Sequence, residues 1–177
     1  MIVLLLVLGV IWISLSRVPA KVAAVHNDHL PLPQRGFAAP DFTLETLDGQ
    51  IVTLSGLRGQ VVLINFWATW CPPCRAEMPA IQQVYERYRD QDFIVLAVNL
   101  QESDAQVAAF VGRLGLTFPI LMDRDGDTFA RYRVKALPST FFVDQAGVIQ
   151  NVTVGGPMSR AFIESQVASL LAKEESD

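Results

Sequence analysis

Hydrophobic positions fall into three regimes along the chain. Residues 1–16, MIVLLLVLGVIWISLS, are apolar almost throughout and carry no charged side chain. Residues 18–40 show no sustained period and hold four prolines, Pro19, Pro31, Pro33 and Pro40, which reads as a linker. From Asp41 onward, strand-like and helix-like patterns alternate. Phe42–Leu44 and Ile51–Leu54 flank Asp48-Gly49, a hairpin signal. Val61–Phe66 (VVLINF) and Phe93–Asn99 (FIVLAVN) are short apolar runs rich in β-branched residues, the pattern of buried central strands. Between them Met78, Ile81, Val84, Tyr85 and Tyr88 recur at three and four, predicting a helix from Pro72-Pro73 to about Arg89. Ser103 is placed to cap a second helix over 103–114, with Val107, Phe110, Val111 and Leu114 on one face. Phe118–Met122 reads as a short strand and Asp123–Asp127 as a turn. Ser139–Val143 and Val148–Val154 form a hairpin around Gln145-Ala146-Gly147, and Ser159 caps a last helix to about Lys173. Strand–helix–strand–helix followed by a hairpin and a helix predicts an α/β fold with a mixed sheet.

The apolar leader bears on the compartment. It is shorter than the ~20 residues of a comfortable spanning helix and longer than many signal-peptide cores of roughly 7–15 residues. A signal peptide, a short anchor and a buried core helix are the three readings. No basic side chain precedes the run, and Arg17 and Lys21 follow it, which pulls against an outside C-terminus. A start codon assigned too far downstream would account for this. Val18-Pro19-Ala20 and Val22-Ala23-Ala24 offer cleavage sites, and no cysteine lies there to carry a lipid. The expectation is an uncleaved signal anchor over 1–17, a linker over 18–40 and a domain over 41–174. That domain would face the periplasm or extracytoplasmic space from the inner (cytoplasmic) membrane.

Composition sharpens this picture. Of the 177 residues, 51% are hydrophobic and 18% charged, against roughly 25% charged in an ordinary soluble domain. Fifteen of the first twenty residues are apolar, and without them the apolar share falls to about 48%, near the globular average. The remaining ~140 residues suit one domain with a proper core. A net charge of −4 and a pI near 5.1 argue against nucleic-acid binding. The two histidines, His26 and His29, sit in the linker as HNDH. A metal site there would need two further ligands, so solvated tether residues are the plainer reading.

The chemistry concentrates in Trp70-Cys71-Pro72-Pro73-Cys74, where a buried strand hands over to a helix. A helix N-terminus stabilises a thiolate at Cys71, and the thiolate is the nucleophile in disulfide exchange. One helical turn brings Cys74 within reach of a mixed disulfide formed at Cys71, as the shielded, resolving thiol. Three plainer readings compete. A structural disulfide over so short a loop gains little from loop-closure entropy. A zinc half-site lacks a second ligand pair, and two buried, inert cysteines would not require this placement. CxxC at a strand-to-helix junction favours redox chemistry.

FWATWCPPC followed by Arg75-Ala76-Glu77-Met78-Pro79 resembles the thioredoxin superfamily. It is most similar to the membrane-tethered extracytoplasmic branch with ResA-, TlpA- and CcmG-type reductases. Ala136-Leu137-Pro138-Ser139-Thr140 resembles that family's cis-proline loop, which lies opposite the CxxC. The two motifs stand about 64 residues apart, and the resemblance spans roughly 36–173. It implies a thioredoxin-like three-layer α/β/α sandwich with an N-terminal β-hairpin extension. Pro138 would be cis, Leu137 would offer its backbone to a substrate, and Trp70 would pack over the rim of the site. A plain turn proline is the alternative for Pro138. Implied partners are protein thiol or disulfide substrates, among them apocytochrome c CxxCH pairs and copper-site cysteines. A membrane donor of DsbD or CcdA type would supply electrons. No haem or flavin motif is visible, so no cofactor is expected.

Two departures carry weight. Thioredoxins usually place a buried Asp six residues before the first cysteine, and Asn65 stands there instead. Asn cannot take the proton from Cys74. Glu77 is the nearest acid in sequence, and an acid at that place recurs in the ResA-like group, so Glu77 is expected to assist proton transfer directly or through water. A solvated helix-surface carboxylate is the alternative. Secondly, Pro72 and Pro73 both lack an N–H, which leaves a Cys71 thiolate less stabilised and predicts a reductant. The CcmG group tends to place Glu after the cis-proline, where this chain has Ser139. A thiol peroxidase would need a Pro-x-x-x-Thr/Ser-x-x-Cys arrangement, which neither cysteine has. A redox-linked copper-binding or assembly module would need a CxxxC pair and a downstream histidine, and no histidine follows residue 29.

Overall fold

A computed structural model describes residues 31–172. The leader over 1–17, Lys21, His26, His29 and Lys173 lie outside the described residues, and the last helix, expected to run to about Lys173, ends at Leu171. None of the described helices is long and apolar enough to cross a membrane.

The chain forms strands β1 (Thr43–Glu45) and β2 (Ile51–Thr53), then β3 (Val61–Trp67), helix α1 (Pro72–Tyr88) and β4 (Phe93–Leu100). Helix α2 (Asp104–Leu114), β5 (Ile120–Asp123), the short helix α3 (Asp127–Arg131), β6 (Ser139–Val143), β7 (Ile149–Val154) and α4 (Arg160–Leu171) follow. The five-stranded sheet has the order β5-β4-β3-β6-β7. β3, β4 and β5 run parallel to one another, joined by α1 and α2, while β6 pairs antiparallel with β3 and β7 antiparallel with β6. β1 and β2 pair as a separate hairpin, and Thr46 bridges its connection to Leu121 at the β5 edge. This is the thioredoxin-like α/β architecture with its N-terminal hairpin.

β3 is buried at every residue because both sheet faces are covered. Val61, Leu63 and Trp67 point into a core with Met78, Ile81 and Val84 of α1, Val107 and Phe110 of α2, and Ile163 and Val167 of α4. Val62, Ile64 and Phe66 point the other way, against Phe42, Leu54, Phe129 and Tyr132. Phe66 meets Phe129 edge-on, with ring centroids 4.8 Å apart, a favourable aromatic arrangement. The third layer is therefore thin: helix α3, the turn over Leu54–Leu57 and the chain near Phe42.

Four local features differ from the expected pattern. Leu54 leaves the hairpin and starts a 3-10 turn, burying its side chain. β5 begins at Ile120 and not Phe118, since Pro119 has no N–H to offer a ladder. The expected turn at Asp123–Asp127 is the end of β5 plus the start of α3. Asp123 is buried there and accepts from the N–H groups of Thr128 (3.2 Å) and Phe129 (2.9 Å), so its carboxylate caps the helix start. Desolvation raises the Asp123 pKa. Finally, the Gly156–Pro157 peptide is cis, as is Leu137–Pro138. The second cis-proline was not anticipated.

Candidate active site

β3 delivers the chain to the C-terminal edge of the sheet, where Ala68–Cys71 turns into α1. Cys71 is the N-cap of that helix, with extended backbone, and its Sγ accepts from the Cys74 N–H at 3.3 Å. Pro72 and Pro73 occupy the first helical positions, where a missing N–H leaves no intrahelical bond unmade. Cys71 and Cys74 are joined by a disulfide with Cα atoms 5.3 Å apart. Cys74 is fully enclosed and Cys71 is 3% exposed. The turn is stapled from the side: Glu102 Oε2 accepts from the Thr69 N–H (2.7 Å) and the Asn99 amide (2.8 Å), and Glu102 Oε1 accepts from the Thr69 hydroxyl.

Beside the disulfide lies a cavity of about 450 Å³, walled by Trp70, Cys71 and Pro72 on one side and Lys135, Ala136 and Leu137 on the other. Trp70 is 64% exposed, so it stands up as a wall of the cavity and is not packed down. The turn before Pro138 is closed by the Ser139 hydroxyl donating to Ala136 O at 2.8 Å, and Pro138 O accepts from the Gly155 N–H at 2.8 Å. Leu137 makes no backbone hydrogen bond among the described residues. Among those residues no group of three or more His, Cys, Asp or Glu side chains is placed to hold a metal ion.

Glu77 is fully buried; the solvated reading is wrong. It lies three residues beyond Cys74, on the inward stripe of α1 with Cys74, Met78 and Ile81. Its Oε1 accepts from Asn65 Nδ2 at 2.8 Å and its Oε2 from the Met158 N–H at 3.0 Å. Burial raises its pKa, and these two donors partly oppose the rise. Asn65, on the helix-facing side of β3, also donates to Thr140 Oγ1 at 2.9 Å. Gly156 lets the loop before α4 close over the carboxylate: a Cβ there would lie 2.9 Å from Glu77 Oε2 and 2.9 Å from Pro138 Cγ.

The site thus brings Trp70, Cys71 and Leu137 together around one cavity, with Pro138 following Leu137, Cys74 enclosed beneath Cys71 through the disulfide, and Glu77 one helical turn beyond Cys74 on the buried side of α1. Sequence reasoning missed Glu102, which carries no local signal, and the Gly156–Met158 segment, for which the Gly-Pro pair after a strand is a faint one.

The sequence profile described as the AhpC/TSA family matches residues 36–152. The chain belongs to this family. Within it, the chain is 42% identical over 135 residues to the thiol-disulfide oxidoreductase ResA of Geobacillus kaustophilus, covering 76% of this chain and 77% of that protein. It is 47% identical over 125 residues to the thioredoxin-like protein YneN of Bacillus subtilis, covering 69% and 72%. Among solved structures, a putative thiol:disulfide interchange protein DsbE from Chlorobium tepidum superposes with a TM-score of 0.73 at 34% identity, covering 80% of this chain and 99% of that one. The protein is therefore a thiol-disulfide oxidoreductase of the ResA and DsbE kind.

Proposed function

We propose that this protein is an extracytoplasmic reductant of disulfides in other proteins. The observation that carries this reading is the disulfide pair at the N-cap of α1, with Cys71 opening on a cavity whose far wall is Lys135, Ala136 and Leu137, next to Pro138. In the reduced form, the Cys71 thiolate attacks a client disulfide and releases one client thiol. Cys74 then attacks the mixed disulfide, releasing the second client thiol and closing the Cys71–Cys74 bond. Two electrons pass to the client, and Glu77 takes the proton that Cys74 gives up. The unpaired Leu137 backbone and the Trp70 wall suit an extended client segment lying across the cavity.

The direction follows from the donors around Cys71. Pro72 and Pro73 supply none, and the Cys74 N–H is the one that reaches Sγ. A thiolate with few donors is less stabilised, which makes the dithiol more reducing. Regeneration requires two electrons from a membrane donor of DsbD or CcdA type, with the protein tethered by residues 1–17. Clients of matching chemistry are apocytochrome c CxxCH pairs and the copper-site cysteines of respiratory oxidases. Peroxidase chemistry finds no support in the residues: Ala68 and Ile64 stand where the Thr/Ser and Pro before a peroxidatic Cys71 would be.

Equilibration with glutathione measures the direction, and a potential as oxidising as that of a periplasmic oxidase rejects it. A Cys74→Ser variant should stall mixed disulfides at Cys71, and mass spectrometry of the trapped partner identifies the client.

A further inference from the structure

Asn65 occupies an unusual position for an amide. Both its hydrogens are used, one on Glu77 Oε1 and one on Thr140 Oγ1. Its Oδ1 is buried with no hydrogen-bond partner. Buried acceptors are rarely left unpaired, because nothing replaces the water they lose. Turning the amide over would set Oδ1 against the Glu77 carboxylate, oxygen facing oxygen. The observed orientation leaves one acceptor orphaned and keeps a donor on the carboxylate. The Glu77 carboxylate, an acceptor only, decides which end of the amide faces it, and Thr140 Oγ1 accepts the second hydrogen as a further anchor.

We propose that Asn65 and Thr140 are positioning residues that keep Glu77 a competent proton acceptor inside the core. The inference rests on the reading of Glu77 as the group that takes the Cys74 proton. Burial alone disfavours the carboxylate form, and a fully protonated Glu77 accepts nothing. The Asn65 amide and the Met158 N–H offset that penalty from two sides, one on each oxygen. The Met158 N–H is backbone and fixed by the loop before α4. The Asn65 contribution depends on a side chain that can rotate, and Thr140 removes that freedom. Among the described residues, no second carboxylate, lysine or arginine hydrogen-bonds or ion-pairs with Glu77. On α1 the titratable side chain that shares the buried stripe of Glu77 is Cys74, joined to Cys71 in this form. β3 contributes Asn65, β6 contributes Thr140, and the loop before α4 contributes the Met158 N–H; none of these carries a charge. The amide does in this chain what a titratable Asp at the same place could not: it supports a nearby base without competing for the proton.

The test is the pH profile of disulfide reduction by the full chain, measured as insulin-reduction turnover and as the rate at which Cys74 resolves a mixed disulfide preformed on Cys71. Wild type should show an acidic limb, with the rate falling as Glu77 protonates, and Glu77→Gln should lose it. Asn65→Ala should keep the limb and move it upward by about one pH unit, the size expected for losing one hydrogen bond to a charged group. Thr140→Val, which conserves shape and leaves Asn65 in place, should move it in the same direction by less. Asn65→Asp, facing Glu77 at the same distance, should move it furthest, since two carboxylates sharing a site hold a proton tightly. Asn65→Ala together with Glu77→Gln should match Glu77→Gln alone. If Glu77→Gln keeps the limb, the proton-acceptor reading fails and this inference fails with it. If Glu77→Gln loses the limb but Asn65→Ala and Thr140→Val only scale the rate evenly across pH, the inference alone is overturned.

Discussion

Replacing Gly156 by alanine tests how tightly the Glu77 carboxylate and the cis-proline loop are held together. The backbone at 156 is not in the left-handed region, so alanine meets no conformational penalty and any cost is steric. The added Cβ would sit 2.9 Å from both Glu77 Oε2 and Pro138 Cγ, where ordinary contact is 3.4–4 Å. Relief needs about half an ångström on each side. One side is a ring closed onto its own backbone, and the other is a carboxylate held by Asn65 and Met158. Overpacking of this kind costs about 1–3 kcal/mol. Thermal unfolding of the oxidised protein should fall by about 2–4 °C for each kcal/mol in a chain of this length. The displaced loop would also draw the Met158 N–H off Glu77, so the acidic limb of the pH profile should move upward. Gly155→Ala is the control. Gly155 has φ +82° and open space around it, so alanine there costs roughly 1–2 kcal/mol of backbone energy and leaves the pH profile unchanged. The reasoning is refuted if Gly156→Ala is as stable as wild type with an unshifted profile.

Stability should also depend on pH through Glu77. Its folded pKa is raised by burial, so the folded state holds its proton more tightly than the unfolded chain does. This contribution is fully present below the unfolded value of 4.5 and is lost as pH rises through the folded value. Urea unfolding at several pH values should show a decline above pH 4.5 in wild type that is smaller in Glu77→Gln, with the difference between the two curves isolating this group from Asp123. Glu102→Ala removes the acceptor for Thr69 and Asn99 and should cost about 1–3 kcal/mol; hydrogen exchange at the Thr69 amide should speed up, and an unchanged rate would count against the staple. Trp70→Ala should leave the melting temperature within the range of surface substitutions, about 0.5 kcal/mol, and raise the KM for a protein client. An unchanged KM would remove Trp70 from the client-facing wall.

Much of the fold is legible in the chain because its period is unambiguous. β3 and β4 are covered on both faces, and their near-continuous apolar runs say so. α1 and α2 follow from three-and-four spacing, with Ser103 as cap. The short helix α3 is not legible, because five residues carry less than two turns of pattern and its cap comes from Asp123, a residue that reads as turn-forming. The start of β5 is decided by Pro119, a backbone effect that hydropathy does not register. The burial of Glu77 had a signal: it shares the inward stripe of α1 with Cys74, Met78 and Ile81. What the pattern does not carry is the partner set. Asn65, Thr140 and Met158 are donors or acceptors by virtue of strand register and a loop closure, and Glu102 reaches Thr69 across 33 residues.

The partners of Glu77 also set the order in which the protein becomes competent. Asn65 meets Glu77 across 12 residues, Thr140 across 75, and Met158 reaches Glu77 across 81. Contacts this distant in sequence form only after the loop-closure cost of the intervening chain has been met. A chain still being made exposes both cysteines well before Thr140 and Met158 exist. At that stage its thiols meet solvent as ordinary thiols, with no buried carboxylate behind them. The buried surroundings of Glu77 are completed only when β6 and the loop before α4 dock.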